Sequence, residues 1–196
     1  MTGVLIVIVA LLVIVVLLIA WVMATYNGLV AKRNQVRNAW AQIDVQLRRR
    51  HDLIPNLVNA VKGYMEHERN VLQSVTNART RAMAAGDNVA QRSEAEGELT
   101  RSLRSLFAVA EAYPALRASE NVQSLQEELA STENRVAFAR QHYNDAVMSY
   151  NTARGQLPGA LIAGPMGFRE ADSWEIDAAN AAARDVPQVD LSGATG

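Results

Sequence analysis

The chain has 196 residues, a formal net charge of −1, 49% hydrophobic residues and no cysteine. That balance argues against bulk nucleic-acid binding. The absence of Cys excludes disulfides, thiol catalysis and Cys-based zinc or iron–sulfur sites.

The first element is the most apolar. Val4 to Ala24 holds no charged residue, no Pro and no Gly. Its roughly 21 residues span about 31 Å as a helix, close to the thickness of a bilayer's hydrocarbon core. Only Met1, Thr2 and Gly3 precede it, so there is no basic leader region, and Trp21-Val22-Met23 is a poor approach to a cleavage site. Without Cys there is no lipoprotein or palmitoyl anchor, and Met-Thr at the start is not a myristoylation site. A soluble core helix is seldom apolar on every face over this length. The expectation is a retained single span.

Lys32, Arg33, Arg37, Arg48, Arg49 and Arg50 follow it, against one acid, Asp44. The positive-inside rule then sets residues 1–3 outside and the rest in the cytoplasm. Trp21 and Tyr26 stand where an interfacial aromatic belt is expected, with Lys32 and Arg33 at headgroup depth.

Apolar residues then recur at three- and four-residue steps, with no alternating strand pattern. Val36, Trp40, Ile43 and Leu47 form one stripe, and only Gly28 interrupts the way back to the span. One helix of roughly 70 Å reaching Arg50 is predicted. His51-Asp52 then predicts a new helix, with Asp52 as N-cap and Pro55 in the first turn. Its stripe is Ile54, Leu57, Val61, Tyr64, Val71, Val75, Ala78 and Ala82, with Glu68 its one charged interruption. Ala85-Gly86-Asp87-Asn88 separates it from a third helix carrying Leu99, Leu103, Leu106, Ala110 and Tyr113, which Pro114 ends.

The fourth helix runs from Ser119 to Arg154. Val122, Leu129, Val136, Tyr143 and Tyr150 fall at seven-residue spacing, and Leu125, Thr132, Ala139 and Ala146 fill the alternate position. This is the spacing of an antiparallel bundle or coiled coil. The expected fold is all-α: an N-terminal transmembrane helix (4–24) continuing into an antiparallel four-helix bundle of long helices (25–154). An apolar loop (155–170) and a flexible acidic tail (171–196) complete it.

Chemistry is sparse. His67-Glu68 opens a metallopeptidase-like pattern, but the second His would stand at position 71, which is Val. The three histidines, His51, His67 and His142, read as solvated residues on helix faces. There is no Walker A loop and no nucleophile elbow. No catalytic residue, cofactor or metal is assigned.

The candidate interaction residues fall in three groups. Asp44, Arg48, Arg49, Asp52 and Asn56 surround the expected first interhelical turn, either as surface pairs and caps or as a contact for a partner. Asn144 and Asn151 lie one heptad apart and set helix register if buried, or face solvent. Leu161, Ile162, Met166 and Phe168 in the apolar loop either close the bundle end or face a partner or lipid.

Two long blocks carry a resemblance. Ala39 to Glu68 reads AWAQIDVQLRRRHDLIPNLVNAVKGYMEHE, preceded by YNGLVAKRNQV from Tyr26. Tyr113 to Asn151 reads YPALRASENVQSLQEELASTENRVAFARQHYNDAVMSYN, followed by LPGALIAGPMGF. In this order they closely resemble the LemA family over about Tyr26 to Glu175. Asn121-Val122 departs from the aromatic expected after the asparagine, and Gly164-Pro165-Met166 looks altered. The resemblance implies an N-terminal membrane helix, a cytoplasmic long-helix bundle and no established enzymatic activity. It also implies association with bacterial membranes, some relatives taking part in forming specialised internal ones.

The function expected is a non-enzymatic scaffold or adaptor in the bacterial inner membrane. Its partners are the lipid bilayer, a second copy of itself and an unidentified membrane protein, with no nucleic acid. An oligomeric membrane-shaping protein is the alternative, and a cryptic metal-dependent enzyme the third reading.

Overall fold

The structure, a computed structural model, describes residues 2–174. All its regular elements are helices: α1 (Thr2–Lys62), α2 (Arg69–Ala84), α3 (Val89–Ala110), α4 (Pro114–Arg117), α5 (Glu120–Gly155) and α6 (Gly159–Ala163). No strand occurs among the described residues. The contacts divide the chain into two compact units. One holds the residues up to Arg50 together with Ala130–Ser173; the other holds His51–Leu129 together with Trp174.

The first departure from the sequence reading concerns α1. It passes through His51, Asp52 and Pro55 without a break and ends at Lys62. Asp52 is not an N-cap, and no turn lies among Asp44, Arg48, Arg49, Asp52 and Asn56. Proline inside a helix lacks the N–H that would bond the carbonyl four residues back. For Pro55 that carbonyl belongs to His51, and Arg79 Nε donates to it at 2.7 Å. A side chain of α2 thus supplies the missing donor, and the helix survives its proline. Gly28 is likewise passed without interruption.

The helix gives way instead at Gly63. Turn hydrogen bonds from Tyr64 and Met65 to the Val61 carbonyl close it, and Met65 is fully buried as a plug. Tyr64 stays half exposed. On the other side of the link Glu68 sits at the N-cap of α2 without capping it through its side chain. Its carboxylate accepts from the Tyr113 hydroxyl at 3.3 Å instead.

α2 and α3 are joined by Ala85–Asn88. Gly86 has φ +62°, the left-handed region that glycine enters without a Cβ penalty. Asn88 then caps α3, its side chain accepting from Gln91 N at 3.0 Å. α3 ends at Ala110, and Pro114 opens the short α4.

The core of this unit is continuous. It takes Ile54, Leu57 and Val61 from α1, and Leu72, Val75, Ala78 and Ala82 from α2. Leu99, Leu103, Leu106 and Ala110 come from α3, Leu116 from α4, and Val122 and Leu129 from α5. Leu72, rather than Val71, is the buried member at the start of α2.

In the other unit, Ala39, Ile43 and Leu47 on α1 are fully buried, and Val136, Tyr143 and Val147 on α5 are buried. The Trp40 and Tyr143 rings lie 5.4 Å apart. Arg50, with its side chain 4% exposed, is paired with Glu133 at 2.8 Å. The N-terminal half of α1 behaves differently. Every large apolar side chain from Val4 to Ile19 is exposed, and none of the span's most apolar stretch is buried. Soluble proteins seldom expose a patch of this extent. This segment is not a core helix of the described residues.

Candidate functional site

The sequence reading left 155–170 as loop and 171–196 as flexible tail. The structure corrects both where it describes them. Residues 159–163 form α6, and 168–172 form an extended strap fastened to α5. The expected tail beyond Trp174 lies outside the described residues.

The strap is held by four side chains of α5. Arg154 Nε donates to the Phe168 carbonyl at 3.1 Å, and the Tyr150 hydroxyl to that of Arg169 at 2.7 Å. Asn151 pairs with both main-chain groups of Ala171: Nδ2 donates to the carbonyl at 2.9 Å, and Oδ1 accepts from the N–H at 3.1 Å. The Tyr143 hydroxyl donates to the Asp172 carbonyl at 2.7 Å. From Phe168 at Arg154 to Asp172 at Tyr143, the strap runs antiparallel to α5 in its overall direction. An irregular segment has no helical partner for its main-chain groups, and here the helix side chains supply them. Burial raises the Tyr143 phenol above its ordinary pKa, and the nearby Asp172 carboxylate adds to the shift.

The strap's first residue is also its anchor. Phe168 is 3% exposed and packs with Leu29, Tyr150, Ile162 and Ala163. The Tyr26 ring meets it edge-on at 5.5 Å, and the Arg33 guanidinium lies 5.1 Å from its centroid. Lys32 Nζ donates to Ser149 Oγ at 2.7 Å. Lys32 and Arg33 thus reach into the protein, while Trp21 and Tyr26 stay partly exposed. Together these groups form a collar around α1 just past the end of its apolar run.

The candidate loop residues divide between two environments. Ile162 and Phe168 are core residues of the collar and are not available to a partner. Leu161 and Met166 are 61% and 51% exposed. Asn151 is committed to the strap rather than to register between helices. Asn144 is half-buried and takes part in a further polar contact. Asp44 and Arg48 pair at 2.6 Å along the surface of α1. Arg49 is exposed and engaged in a contact of its own; Asp52 and Asn56 are exposed on α1.

Two further features were missed by the sequence reading. The first is a groove of about 690 Å³ lined by Gln42, Val45 and Gln46 of α1 and Arg135, Phe138 and His142 of α5. Phe138 is 72% exposed and Val45 61%. Phe138 stands off the seven-residue seam, a signal present in the sequence.

The second is a buried pair. His51, expected at a solvated surface, is buried with its Nε2 2.8 Å from Glu96 Oε1, each side chain 5% exposed. His51 stands four residues after Leu47 and three before Ile54; Glu96 stands three before Leu99. Both therefore fall on core stripes, which was the available clue. With both side chains nearly closed off from solvent, the pair reads as a structural contact. His67 and His142 are exposed. No cluster of three metal-ligating residues occurs among the described residues.

The fold and collar define a class: a protein all-helical among the described residues, with a long apolar N-terminal helix and a collar packed on that helix where the apolar run ends. The chain belongs to the LemA family, whose model matches residues 39–191. Among curated relatives it is similar to Magnetosome protein MamQ 2 and Magnetosome protein MamQ 1 of Paramagnetospirillum magneticum. Each is 24% identical over 182 residues, covering 80% of this chain and 67% of the relative. Magnetosome protein MamQ of Magnetospirillum gryphiswaldense is 21% identical over 179 residues, covering 79% and 66%. Neither the family description nor these names carries an enzymatic activity. The exposed apolar helix and these relatives suggest membrane anchoring.

Proposed function

We propose that this protein is a membrane-anchored, non-enzymatic scaffold or adaptor that self-associates at the cytoplasmic face of the bacterial inner membrane. The observation that carries the reading is the exposed apolar run from Val4 to Ile19, which finds no burial partner among the described residues. The Lys and Arg residues that follow it favour an outside N-terminus. We read the helical body as an antiparallel four-helix bundle. The mechanism is positional. α1 holds the groove around Val45 and Phe138 about 30 Å beyond the end of the apolar run, where a second copy or a membrane protein would dock. The pair of half-buried Asp44 with exposed Arg48, and Arg49, border the same stretch of α1.

Deleting residues 4–24 is expected to release the protein from the membrane fraction. Retention there after high-salt washing would defeat the reading. Light scattering of the full chain in mild detergent, corrected for bound detergent, is expected to give a discrete homo-oligomer; a monomer removes self-association and leaves the adaptor. A second reading, membrane shaping by an oligomer, is favoured by the similarity to proteins named for the magnetosome. Purified protein in vesicles tests it: unchanged curvature across a range of protein densities counts against shaping.

A further inference from the structure

We infer that the turn around α6 is an interfacial wedge whose outer side chains Leu157, Leu161 and Met166 enter the headgroup–acyl boundary of the same membrane that α1 spans. The inference rests on the anchoring reading above and adds a second, monotopic membrane contact to it.

Depth is the first argument. The apolar run ends at Ala24, so the boundary falls near Trp21 to Tyr26. The collar sits at that level of α1: Val22 packs against the cluster containing Phe168, and Tyr26 touches the Phe168 ring. A turn bound at residues 22–30 of a spanning helix lies where lipid headgroups begin.

Composition is the second. From Leu157 to Phe168 no side chain carries a nitrogen or oxygen. Leu157, Leu161 and Met166 are 75%, 61% and 51% exposed, while Ile162 and Phe168 fill the core behind them. A turn in water would be expected to place polar groups on its outer side. A segment with apolar groups on both faces suits a boundary that is apolar on both sides, protein within and acyl chain without.

Seating is the third. A Cβ on Gly159 would stand 1.9 Å from the Ala153 carbonyl oxygen, so only glycine allows α6 to approach the end of α5 this closely. With the strap's hydrogen bonds on the other side, the turn is held at both ends. Its apolar tip is therefore presented by a fixed support, and continuity with the span makes lipid, rather than a second protein, its occupant.

The chain has no cysteine, so single reporters can be placed in the full-length protein. Leu161→Cys and Met166→Cys would carry an environment-sensitive fluorophore. Leu12→Cys in the span and Phe138→Cys at the level of the groove serve as references. Each variant is reconstituted in vesicles of phosphatidylcholine and phosphatidylglycerol containing lipids spin-labelled near the top or near the end of the acyl chain.

The expected result is quenching at 161 and 166 by the shallow label, at least twofold stronger than at 138, with 12 quenched by the deep label. If 12 is quenched while 161 and 166 behave like 138, the wedge is wrong and the anchoring stands. If 12 is also unquenched, the anchoring fails and takes the wedge with it. Shielded emission at 161 and 166 without lipid quenching identifies a protein occupant and overturns the proposal. Circular dichroism matching the parent protein is required of each variant, and two wedge positions guard against a local defect at one.

Discussion

The unit formed around residues 51–129 and the collar of the other unit are built by different means. The first is held by an apolar core in which Leu57, Val75, Leu99 and Leu106 are fully buried, and the buried His51–Glu96 contact is closed off from solvent. The collar has a small core around Phe168 and spends its side chains on main-chain groups instead: Tyr143, Tyr150, Asn151 and Arg154 each bond the strap. Burial of apolar area is non-directional and resists through bulk. A set of directed hydrogen bonds fixes one register and is worth only about 1 kcal/mol per bond. The lesson is that one region is built to be stable and the other to be positioned.

The largest expected effect breaks the first side of this contrast. Leu99→Ala removes a side chain from a fully buried position and should cost about 3 kcal/mol of unfolding free energy. Denaturant titration of the full chain in detergent would show it as a lowered midpoint, with collar hydrogen exchange unchanged below the transition.

Asn151→Ala attacks the other side. It leaves both main-chain groups of Ala171 without their partner and should cost about 2 kcal/mol locally. Amides of residues 168–173 should exchange on the order of 10-fold faster or more, while those of α2 and α3 keep their rates. Equal acceleration in both regions would erase the distinction between them.

The smallest effect is a pH dependence. The Tyr143 phenol is raised in the folded protein above its unfolded value of about 10, by burial and by Asp172. Its contribution is therefore complete below about pH 10 and is lost as pH rises through the folded value. Strap amides should lose protection on that alkaline limb, and Tyr143→Phe should remove the limb while lowering protection at neutral pH. The raised Tyr113 phenol beside Glu68 titrates in the same direction but is read from the amides of its own link.

What the sequence made legible follows the same division. The stripes of Leu57 and Val61, of Val75 and Ala78, and of Leu99 and Leu103 were readable because apolar burial leaves a period in the chain. The seven-residue seam of α5 was readable for the same reason, as was the apolar span. The strap was not. Its residues contribute carbonyls, which every residue has, and its donors Tyr143 and Tyr150 already had a sufficient account as seam residues. The α6 turn hid its inward Ile162 and Phe168 among outward Leu161 and Met166, since hydropathy alone does not tell the two faces apart. The boundary at His51 was misplaced because Pro55 normally marks a first turn. The donor that lets a helix run through it comes from Arg79, distant in sequence.

That last contact has a consequence for how this chain can change over generations. With Pro55 in place, Arg79 is required for what it gives to a neighbour's backbone, and its charge is incidental to that task. Replace Pro55 by a residue with an N–H and the helix closes its own bond at His51, which frees position 79 to drift. Lose Arg79 first, and the carbonyl of His51 is stranded until position 55 follows. The two sites are epistatic in one order and nearly neutral in the other, so an ancestral path through this helix has a direction.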